Sequence, residues 1–484
     1  MAQALGMLVG AFRAAFTGKV ITAEDPEYDK ARSVFNGAID RRPAIIARCT
    51  TPNEVAAAIK FGTDQDLEIS VRGGGHNFAG FAVCEGGLMI DLSEMRQVTV
   101  DAAARRAVAG GGATWHDVDA ATQAHGLAVT GGFISRTGIG GLTLGGGIGH
   151  LTAQAGLSCD NLVSAQVVTA DSRILTASAN ENPDLFWAIR GGGGNFGVVT
   201  SFAYRLHQVG PLVNLGLFFW GVDKGSAALR FSRDFLKTLP QNASGFIGGL
   251  SAPPAPFVPR QYHFAPGFAL IVVGYGSPEE HARAIKPIRD GVAPLFELVT
   301  PMPYVQLQQM FDEANPWGTL AYEKALYLDE LTDGAIQVFT EYLPKKTSPL
   351  SLVPVFFLGD GYARVPDDET AFGGSRKARY AFNISAVCPD PALYDGERSW
   401  VRAFWQALRP HASSVGSYVN FMSEYEEDRV KAAYGTAKYE RLARIKAQYD
   451  PDNVFHLNAN IKPALSQNPD GGSNALQGRT IGQR

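Results

Sequence analysis

Three glycine-rich runs in the first half of the chain constrain its fold more than any other feature. They cover Val71–Gly80, Gly138–His150 and Arg190–Gly197. Glycine accepts positive φ and leaves no Cβ between backbone N–H groups and a ligand, so successive glycines form anion-binding loops. The first run is bounded by strand-like segments, Leu67–Arg72 and Leu88–Leu92. One such run is typical of a flexible turn, but three predict a long, multiply charged ligand laid across several loops.

The glycine runs do not match the two common nucleotide-binding loops. No Lys-Ser or Lys-Thr pair follows the glycines, so the phosphate loop of nucleotide triphosphatases is excluded. The first run also lacks the helix and the acidic residue that a Rossmann fingerprint requires. We therefore expect a dinucleotide-sized ligand in a different kind of cradle.

Motifs spread along the chain resemble one enzyme superfamily. They are Arg72–Asn77, Gly138–Gly147, Gly156–Asn161, Asp184–Gly191 and Asn195–Thr200, followed near the end by Tyr449–Phe455 and Asn458–Ile461. Their order and spacing resemble the vanillyl-alcohol-oxidase superfamily of FAD enzymes, and the last two resemble its berberine-bridge branch. The match spans about residues 35 to 463. Bacterial 6-hydroxynicotine oxidases and antibiotic-pathway oxidases resemble this chain more than the plant enzymes do.

The resemblance implies a two-lobed α+β fold with a PCMH-type FAD-binding domain and a substrate domain of antiparallel sheet covered by helices. Periodicity supports helices over 53–66 and 115–125 and a strand hairpin turning at Asp171-Ser172. The expected divisions are an N-terminal helical extension (1–34), the FAD-binding domain (35–208), the substrate-binding domain (209–415), a C-terminal segment returning to the flavin (416–464) and a disordered tail (465–484).

The resemblance also implies how the FAD is held. The histidine of the first glycine run, here His76, is bonded in relatives to the 8α-methyl group of the flavin, which raises its redox potential. Many relatives add a cysteine link to C6 of the ring, but Ile134 stands at that position, so we expect a single link; Cys159 is expected to be a buried structural thiol. The expected cofactor-binding residues are Arg72, Gly73, Gly74, Gly75, His76, Asn77, Gly132, Thr137, Gly138, Gly140, Gly141, Gly145, Gly147, Gly149, Asp160, Asn161, Gly197, Val199, Asn458 and Asn460.

The usual catalytic base is missing. Alcohol-oxidising relatives take it from the second tyrosine of a Tyr-x-Asn-Tyr strand, whereas this chain has Tyr418-Val-Asn-Phe421. Either the substrate is an amine that needs no base or another group serves. Tyr418 is a candidate, although it should point to the opposite face of the strand. Further candidates in the substrate lobe are Tyr322, Tyr327, Tyr304, Tyr362 and Asp360.

Two other residues have alternative explanations, and the resemblance places a third. Arg72 would either balance pyrophosphate charge or form a surface ion pair. His150, after the second glycine run, would be catalytic or structural, and the resemblance places Arg136 near the isoalloxazine.

We expect an FAD-linked oxidase that takes a hydride from a small aromatic or secondary-metabolite substrate and reduces O₂ to H₂O₂. An FAD-dependent dehydrogenase, a flavin oxygenase and a non-catalytic flavin-binding protein remain alternatives. The net charge of -4 gives no drive toward nucleic acid or anionic membranes. The four cysteines form no metal-binding pattern, and no signal peptide or membrane span is evident. We therefore expect a cytoplasmic monomer or homodimer with no metal.

Overall fold

The structure is a computed structural model, and it describes residues 2–413, 416–425 and 427–465. The tail expected at 465–484 therefore falls, apart from Leu465, outside the described residues. None of the described helices is both long enough and apolar enough to span a bilayer.

Two sheets and a two-stranded ribbon form the first lobe. A mixed four-stranded sheet has the order β1-β2-β4-β3, and an antiparallel five-stranded sheet has the order β5-β6-β10-β8-β9. The ribbon pairs β7 with β11. The strands are β1 (Lys19–Ile21), β2 (Ile45–Arg48), β3 (Ile69–Arg72), β4 (Leu88–Asp91), β5 (Val98–Asp101), β6 (Arg106–Gly110), β7 (Leu127–Ala128), β8 (Leu162–Val168), β9 (Ile174–Ser178), β10 (Val198–Arg205) and β11 (His207–Gln208).

A seven-stranded antiparallel sheet forms the second lobe, with the order β15-β12-β14-β13-β17-β18-β16. Side chains alternate between its faces, as strand geometry requires. In β12, Phe218 and Trp220 pack in the core under the helices, while Leu215 and Phe219 join the core shared with the first lobe. The strands are β12 (Leu212–Gly221), β13 (Ala243–Ser251), β14 (Pro266–Gly274), β15 (Phe296–Pro303), β16 (Leu320–Leu328), β17 (Val353–Phe357) and β18 (Tyr380–Cys388).

Helices cover the outer face of the large sheet and surround the first lobe. The α-helices are α1 (Ala2–Ala15), α2 (Tyr28–Arg32), α3 (Pro52–Asp64), α4 (Trp115–Gln123), α5 (Ile139–Leu144), α6 (Thr152–Ala155), α7 (Pro183–Ile189), α8 (Gly225–Leu236), α9 (Pro278–Asp290), α10 (Tyr304–Gln309), α11 (Asp333–Tyr342), α12 (Gly359–Ala363), α13 (Tyr394–Leu408), α14 (Glu427–Tyr434) and α15 (Thr436–Tyr449). The 3₁₀ helices are Cys159–Asn161, Gly193–Phe196, Val222–Lys224, Arg260–Tyr262, Leu343–Lys345, Pro391–Leu393, Arg409–His411 and Val419–Phe421.

The expected α+β fold class is confirmed, and local signals explain several elements. Helix α3 begins with a capping box in which Thr51 and Glu54 each accept a hydrogen bond from the other's backbone N–H. The hairpin between β8 and β9 turns through Ser172, which has a φ of 65°. These signals involve neighbours in the sequence, so they are visible without the tertiary structure.

Two expectations need correction. The first 34 residues are not purely a helical extension, because β1 pairs with β2 and so becomes part of a sheet. The segment around Tyr418 is not a strand: Val419–Phe421 is a 3₁₀ helix, so alternation does not separate Tyr418 from Phe421.

Candidate active site

A cavity of about 370 Å³ lies between the glycine loops of the first lobe and the inner face of the seven-stranded sheet. All three glycine runs contribute to its wall, as do Asn420, Phe421 and the segment 455–459 near the C-terminus. The cavity therefore collects the motifs that are far apart in the sequence into one site.

The first two glycine runs touch each other at the backbone. A Cβ atom on Gly74 would lie 2.3 Å from the backbone nitrogen of Gly138, so a side chain cannot fit without moving a loop. Gly75 has a φ of 67°, which favours glycine. This contact places His76 beside the start of α5.

His76 stands on the cavity wall, stacked on a phenylalanine. Its ring lies 3.9 Å from that of Phe35, centroid to centroid, with 14° between the planes. The backbone N–H of Phe35 donates to the carbonyl of Gly75, which fixes the two segments relative to each other. Burial and, secondly, the positive charge of Arg136 lower the pKa of His76 to about 4. The imidazole is therefore neutral at physiological pH.

Most of the predicted cofactor-binding residues line the cavity, but six do not. Those on the wall are Gly73, Gly74, Gly75, His76, Asn77, Gly132, Thr137, Gly138, Gly140, Gly141, Gly145, Gly197, Val199 and Asn458. Those away from it are Arg72, Gly147, Gly149, Asp160, Asn161 and Asn460.

The two glycines away from the cavity allow close packing within the protein. A Cβ atom on Gly147 would lie 2.1 Å from Oγ of Ser158, and one on Gly149 would lie 1.6 Å from the carbonyl oxygen of Gly131. The Arg72 guanidinium donates to the carbonyl of Ala31 instead of facing the cavity. These residues therefore shape the loops without touching what the loops enclose.

The Asp160-Asn161 pair forms structural contacts. The Asp160 carboxylate accepts two hydrogen bonds from Arg376, at 2.7 and 2.9 Å, and one from the N–H of Leu157. The Asn161 amide donates to the carbonyls of Ala155 and Leu157. Asn460 has a buried side-chain oxygen with no partner among the described residues, but it does not line the cavity. The turn is thus fastened to the second lobe.

Tyr418 is a structural anchor and does not line the cavity. Its hydroxyl accepts hydrogen bonds from the N–H of Gly147, at 2.7 Å, and from the amide of Asn420, at 2.9 Å. Its ring meets that of Phe421 edge-on, with centroids 4.8 Å apart. Burial raises the pKa of Tyr418 far above the physiological range. Phe421 does line the cavity, so the expected base position is an apolar wall.

The other tyrosine candidates are also outside the cavity wall. Tyr322 points from β16 toward the helices, where its hydroxyl donates to Glu424 and accepts from Arg402. Tyr327 is fully buried in the core between the lobes. Tyr304, Tyr362 and Asp360 likewise do not line the cavity. None of the three candidate bases, Tyr418, Tyr322 and Tyr327, therefore lines the cavity.

Two further expectations have clear outcomes in the structure. Arg136 is exposed and donates to the carbonyls of Asp312 and Asn315, so it does not line the cavity. His150 is buried against Phe133 outside the cavity, and burial lowers its pKa to about 3. Neither residue is placed to contact a ligand in the cavity.

Sequence reasoning missed a buried polar cluster on the sheet side of the cavity. Glu323 on β16 lies opposite Ser385 on β18 and diagonally from Asn383, and all three line the wall. Burial raises the pKa of Glu323 to about 8, although hydrogen bonds from Asn383 and Ser385 lower it in part. The available signal was the alternation of β16, which puts Glu323 and Lys324 on opposite faces. Tyr425, on the wall beside Asn77, was also missed.

Comparison with known proteins explains this arrangement. A model of the FAD binding domain matches residues 43–178, and a berberine and berberine-like model matches residues 417–462. The FAD-linked oxidoreductase YgaK of Bacillus subtilis is 30% identical over 456 residues, covering 92% of this chain and 97% of that protein. The chain belongs to the berberine-bridge-like FAD-linked oxidoreductases. (R)-6-hydroxynicotine oxidase of Paenarthrobacter nicotinovorans, another relative, is 29% identical, covering 92% of this chain and 97% of that enzyme.

Solved structures share the fold of this FAD-linked oxidoreductase. 6-Hydroxy-D-nicotine oxidase from Arthrobacter nicotinovorans matches with a TM-score of 0.79 and 26% identity, covering 93% of this chain and 98% of that one. Glucooligosaccharide oxidase from Acremonium strictum, which carries a 6-S-cysteinyl, 8α-N1-histidyl FAD, matches with a TM-score of 0.82 and 24% identity, covering 94% and 99%.

The cavity of this FAD-linked oxidoreductase fits its family's cofactor. The glycines on its wall leave backbone groups open, and a Cβ on Gly141 or Gly194 would meet no protein atom within 4 Å. The side-chain oxygen of Asn458, also on the wall, is buried without a partner among the described residues, so a ligand donor would satisfy it. No group of three or more His, Cys, Asp or Glu side chains that could hold a metal occurs in the described part of the chain.

Proposed function

We propose that this enzyme is an oxidase in which FAD, covalently attached through His76, takes a hydride from a small organic substrate and then reduces O₂ to H₂O₂. The observation that carries the proposal is the position of His76. It is a neutral imidazole at the end of a glycine loop, on the wall of the cavity that the family's cofactor fits. A ring nitrogen without a proton is the nucleophilic form that bond formation to carbon requires.

We propose that His76 forms the single covalent link. Ile134 lies on the same wall and has no nucleophilic atom. The four cysteines, Cys49, Cys84, Cys159 and Cys388, are all buried and do not line the cavity. Cys159 is surrounded by protein, and burial raises the pKa of its thiol, which keeps it in the unreactive form.

The substrate part of the cavity favours an apolar, aromatic-sized molecule. Five phenylalanine rings line the cavity: Phe133, Phe246, Phe311, Phe356 and Phe421. The rings of Phe133 and Phe356 are stacked, with centroids 4.4 Å apart. Aromatic side chains of this kind bind flat apolar rings by contact and exclude water. When bound, the flavin supplies the electron acceptor, and the protein supplies binding, orientation and exclusion of water.

Acid precipitation tests the covalent link directly. We expect the purified protein to stay yellow in the acid pellet and the flavin to map to the peptide containing His76. His76→Ala should give a colourless pellet, whereas the matched variant His125→Ala, at an exposed position, should keep the colour. A wild-type protein whose flavin is fully extractable would contradict the link, and a protein without flavin would contradict the function.

The reoxidation of the reduced flavin by air distinguishes an oxidase from the alternative functions. Dithionite-reduced enzyme should return to the oxidised spectrum on admission of air, with one H₂O₂ formed per flavin. Slow reoxidation would instead indicate a dehydrogenase. Incorporation of labelled oxygen into an organic product would indicate an oxygenase.

A further inference from the structure

A hydrogen-bonded polar cluster interrupts the apolar sheet face of the cavity. The Asn383 amide donates to Oε2 of Glu323 at 2.9 Å and to Oγ of Ser385 at 2.7 Å. The Ser385 hydroxyl lies 3.3 Å from the same Oε2 and donates to it. Glu323, Asn383 and Ser385 are 1%, 7% and 3% exposed, respectively, so the cluster is sealed from bulk water.

The cluster leaves two acceptor atoms without partners. Oε1 of Glu323 and Oδ1 of Asn383 are both buried, and neither has a hydrogen-bond partner among the described residues. Buried polar atoms are nearly always paired, so an unpaired acceptor on a cavity wall indicates that a ligand supplies the donor. The pairing of Oε2 with Asn383 and Ser385 fixes which oxygen of Glu323 stays free.

The carboxyl of Glu323 has no oppositely charged partner on the part of the cavity wall that the structure describes. Among the described residues of the cavity wall, Glu323 is the one carboxyl and none is Lys or Arg. Tyr425 faces Glu323 from the segment after Phe421, and Asn383 and Ser385 face it from β18. Lys324 points to the opposite face of β16, where it pairs with Glu424 at 2.7 Å. No lysine or arginine of the described cavity wall therefore favours the ionised form of Glu323.

We propose that Glu323 is the proton acceptor of this oxidase and that its substrate is a largely apolar alcohol whose hydroxyl donates to Oε1. This inference rests on the proposed function. In the reaction the carbinol C–H bond breaks and its electron pair leaves as hydride to the flavin, the O–H proton passes to Glu323, and a C=O bond forms. The alcohol is oxidised by two electrons, the flavin is reduced by two, and the proton remains on the carboxyl.

The position of the base explains the loss of the usual one. Phe421 offers no proton acceptor, and the hydroxyl of Tyr418 beside it lies outside the cavity wall, where it accepts hydrogen bonds from Gly147 and Asn420. A general base is most effective when its pKa is near the working pH, and burial brings that of Glu323 to about 8. Asn383 and Ser385 are positioning residues, because they hold Oε2 and leave Oε1 free.

A pair of probe molecules tests recognition of the hydroxyl without turnover. 2-Naphthol and 2-methoxynaphthalene have the same aromatic body, but the ether lacks the donor. Titrated into the oxidised holoenzyme and followed by the flavin absorbance, 2-naphthol should bind about tenfold more tightly than the ether. Glu323→Leu should abolish this preference, and Tyr322→Phe, on the other face of β16, should keep it. An unchanged preference in Glu323→Leu would overturn the proposal.

Anaerobic reduction tests the proton transfer itself. In a screen of alcohols and amines, alcohols should bleach the flavin, at a rate that rises with pH to a plateau. Glu323→Gln, which preserves the size of the side chain, should lower that rate by about 10²-fold or more and remove this rise, and Glu323→Asp should restore part of both. Reduction by amines alone, or a Gln variant with the wild-type pH profile, would overturn the proposal.

Failure of this inference is distinguishable from failure of the proposed function. Glu323→Gln should keep acid-stable flavin, and its dithionite-reduced form should reoxidise in air as the wild type does. If it loads flavin normally, any loss of alcohol oxidation belongs to the proton transfer. If Glu323→Gln does not load flavin, the anaerobic reduction of Glu323→Asp and the probe titration still test the role of Glu323.

Discussion

Gly74 and Gly138 cross so closely that neither can carry a side chain. A Cβ atom on Gly74 would lie 2.3 Å from the nitrogen of Gly138, and one on Gly138 would lie 2.3 Å from the nitrogen of Gly74. The crossing joins the loop that ends in His76 to the loop that begins α5. The first two glycine runs thus form one rigid wall, which is why glycines at these two positions serve packing as well as the ligand.

The first prediction is that Gly74→Ala destabilises the protein. The new methyl group must push the two loops apart, at a cost of about 1–3 kcal/mol. We expect a lower urea midpoint and a lower flavin content. Gly396→Ala is the matched control, because a Cβ there meets no atom within 4 Å in helix α13. Equal midpoints for the Gly74 variant and the wild type would contradict the crossing.

The second prediction separates packing from cofactor contact. Gly141 lies in α5 and on the cavity wall, and a Cβ there meets no protein atom within 4 Å. Gly141→Ala should therefore leave the apoprotein as stable as before, or more stable by about 0.5–1 kcal/mol, because alanine favours the helix. Against the cofactor the methyl group should weaken FAD uptake by about tenfold. Unchanged uptake would mean that the cofactor does not touch Gly141.

Features that depend on residues close together in the sequence could be predicted from the sequence. Helix α3 follows from the Thr51 and Glu54 capping box, and the three glycine runs lie on the cavity wall as expected. Strands β13 and β18 are buried on both faces and show no alternation, so periodicity does not reveal them. Strand β16 was missed because it contains Glu323 and Lys324, which are uncommon in buried strands.

The catalytic side of the cavity could not be predicted from motifs. The Tyr418 prediction assumed a strand, but its hydroxyl is taken by Gly147, which is far away in the sequence. Glu323 and Asn383 come into contact because β16 pairs with β18. Other elements of the second lobe lie between these two strands in the sequence. A contact of this kind has no local signature, so it appears once the sheet order is known.

The third prediction concerns pH and the carboxyl of Glu323. Its pKa is about 8 in the folded protein, whereas an unfolded glutamate ionises near pH 4.3, about its reference value. The unfolded state therefore releases the proton first, and the free energy of unfolding falls as pH rises between these two values. Glu323→Gln cannot ionise, so its stability advantage over the wild type should grow from pH 5 to pH 8, by on the order of a few kcal/mol, and then level off.

Melting temperatures of the apoproteins across this pH range measure the effect. Tyr425, which faces Glu323, has its pKa raised by burial and stays neutral throughout, so it adds no slope. Glu181→Gln, at an exposed position, is the matched control and should run parallel to the wild type. A Glu323→Gln curve that also runs parallel would show that the carboxyl is ionised in the folded protein.

The fourth prediction tests the ion pair that joins the two lobes behind the cavity. Arg376 and Asp160 are each about 5% exposed and are joined by two hydrogen bonds. Arg376→Met leaves a buried carboxylate without its partner, which costs about 3–5 kcal/mol. Lys286→Met is the matched control, because its pair with Asp290 is exposed and contributes at most about 1 kcal/mol. Urea unfolding should therefore shift strongly for Arg376→Met and little for Lys286→Met, and equal shifts would mean that the buried pair stabilises the protein no more than an exposed pair does.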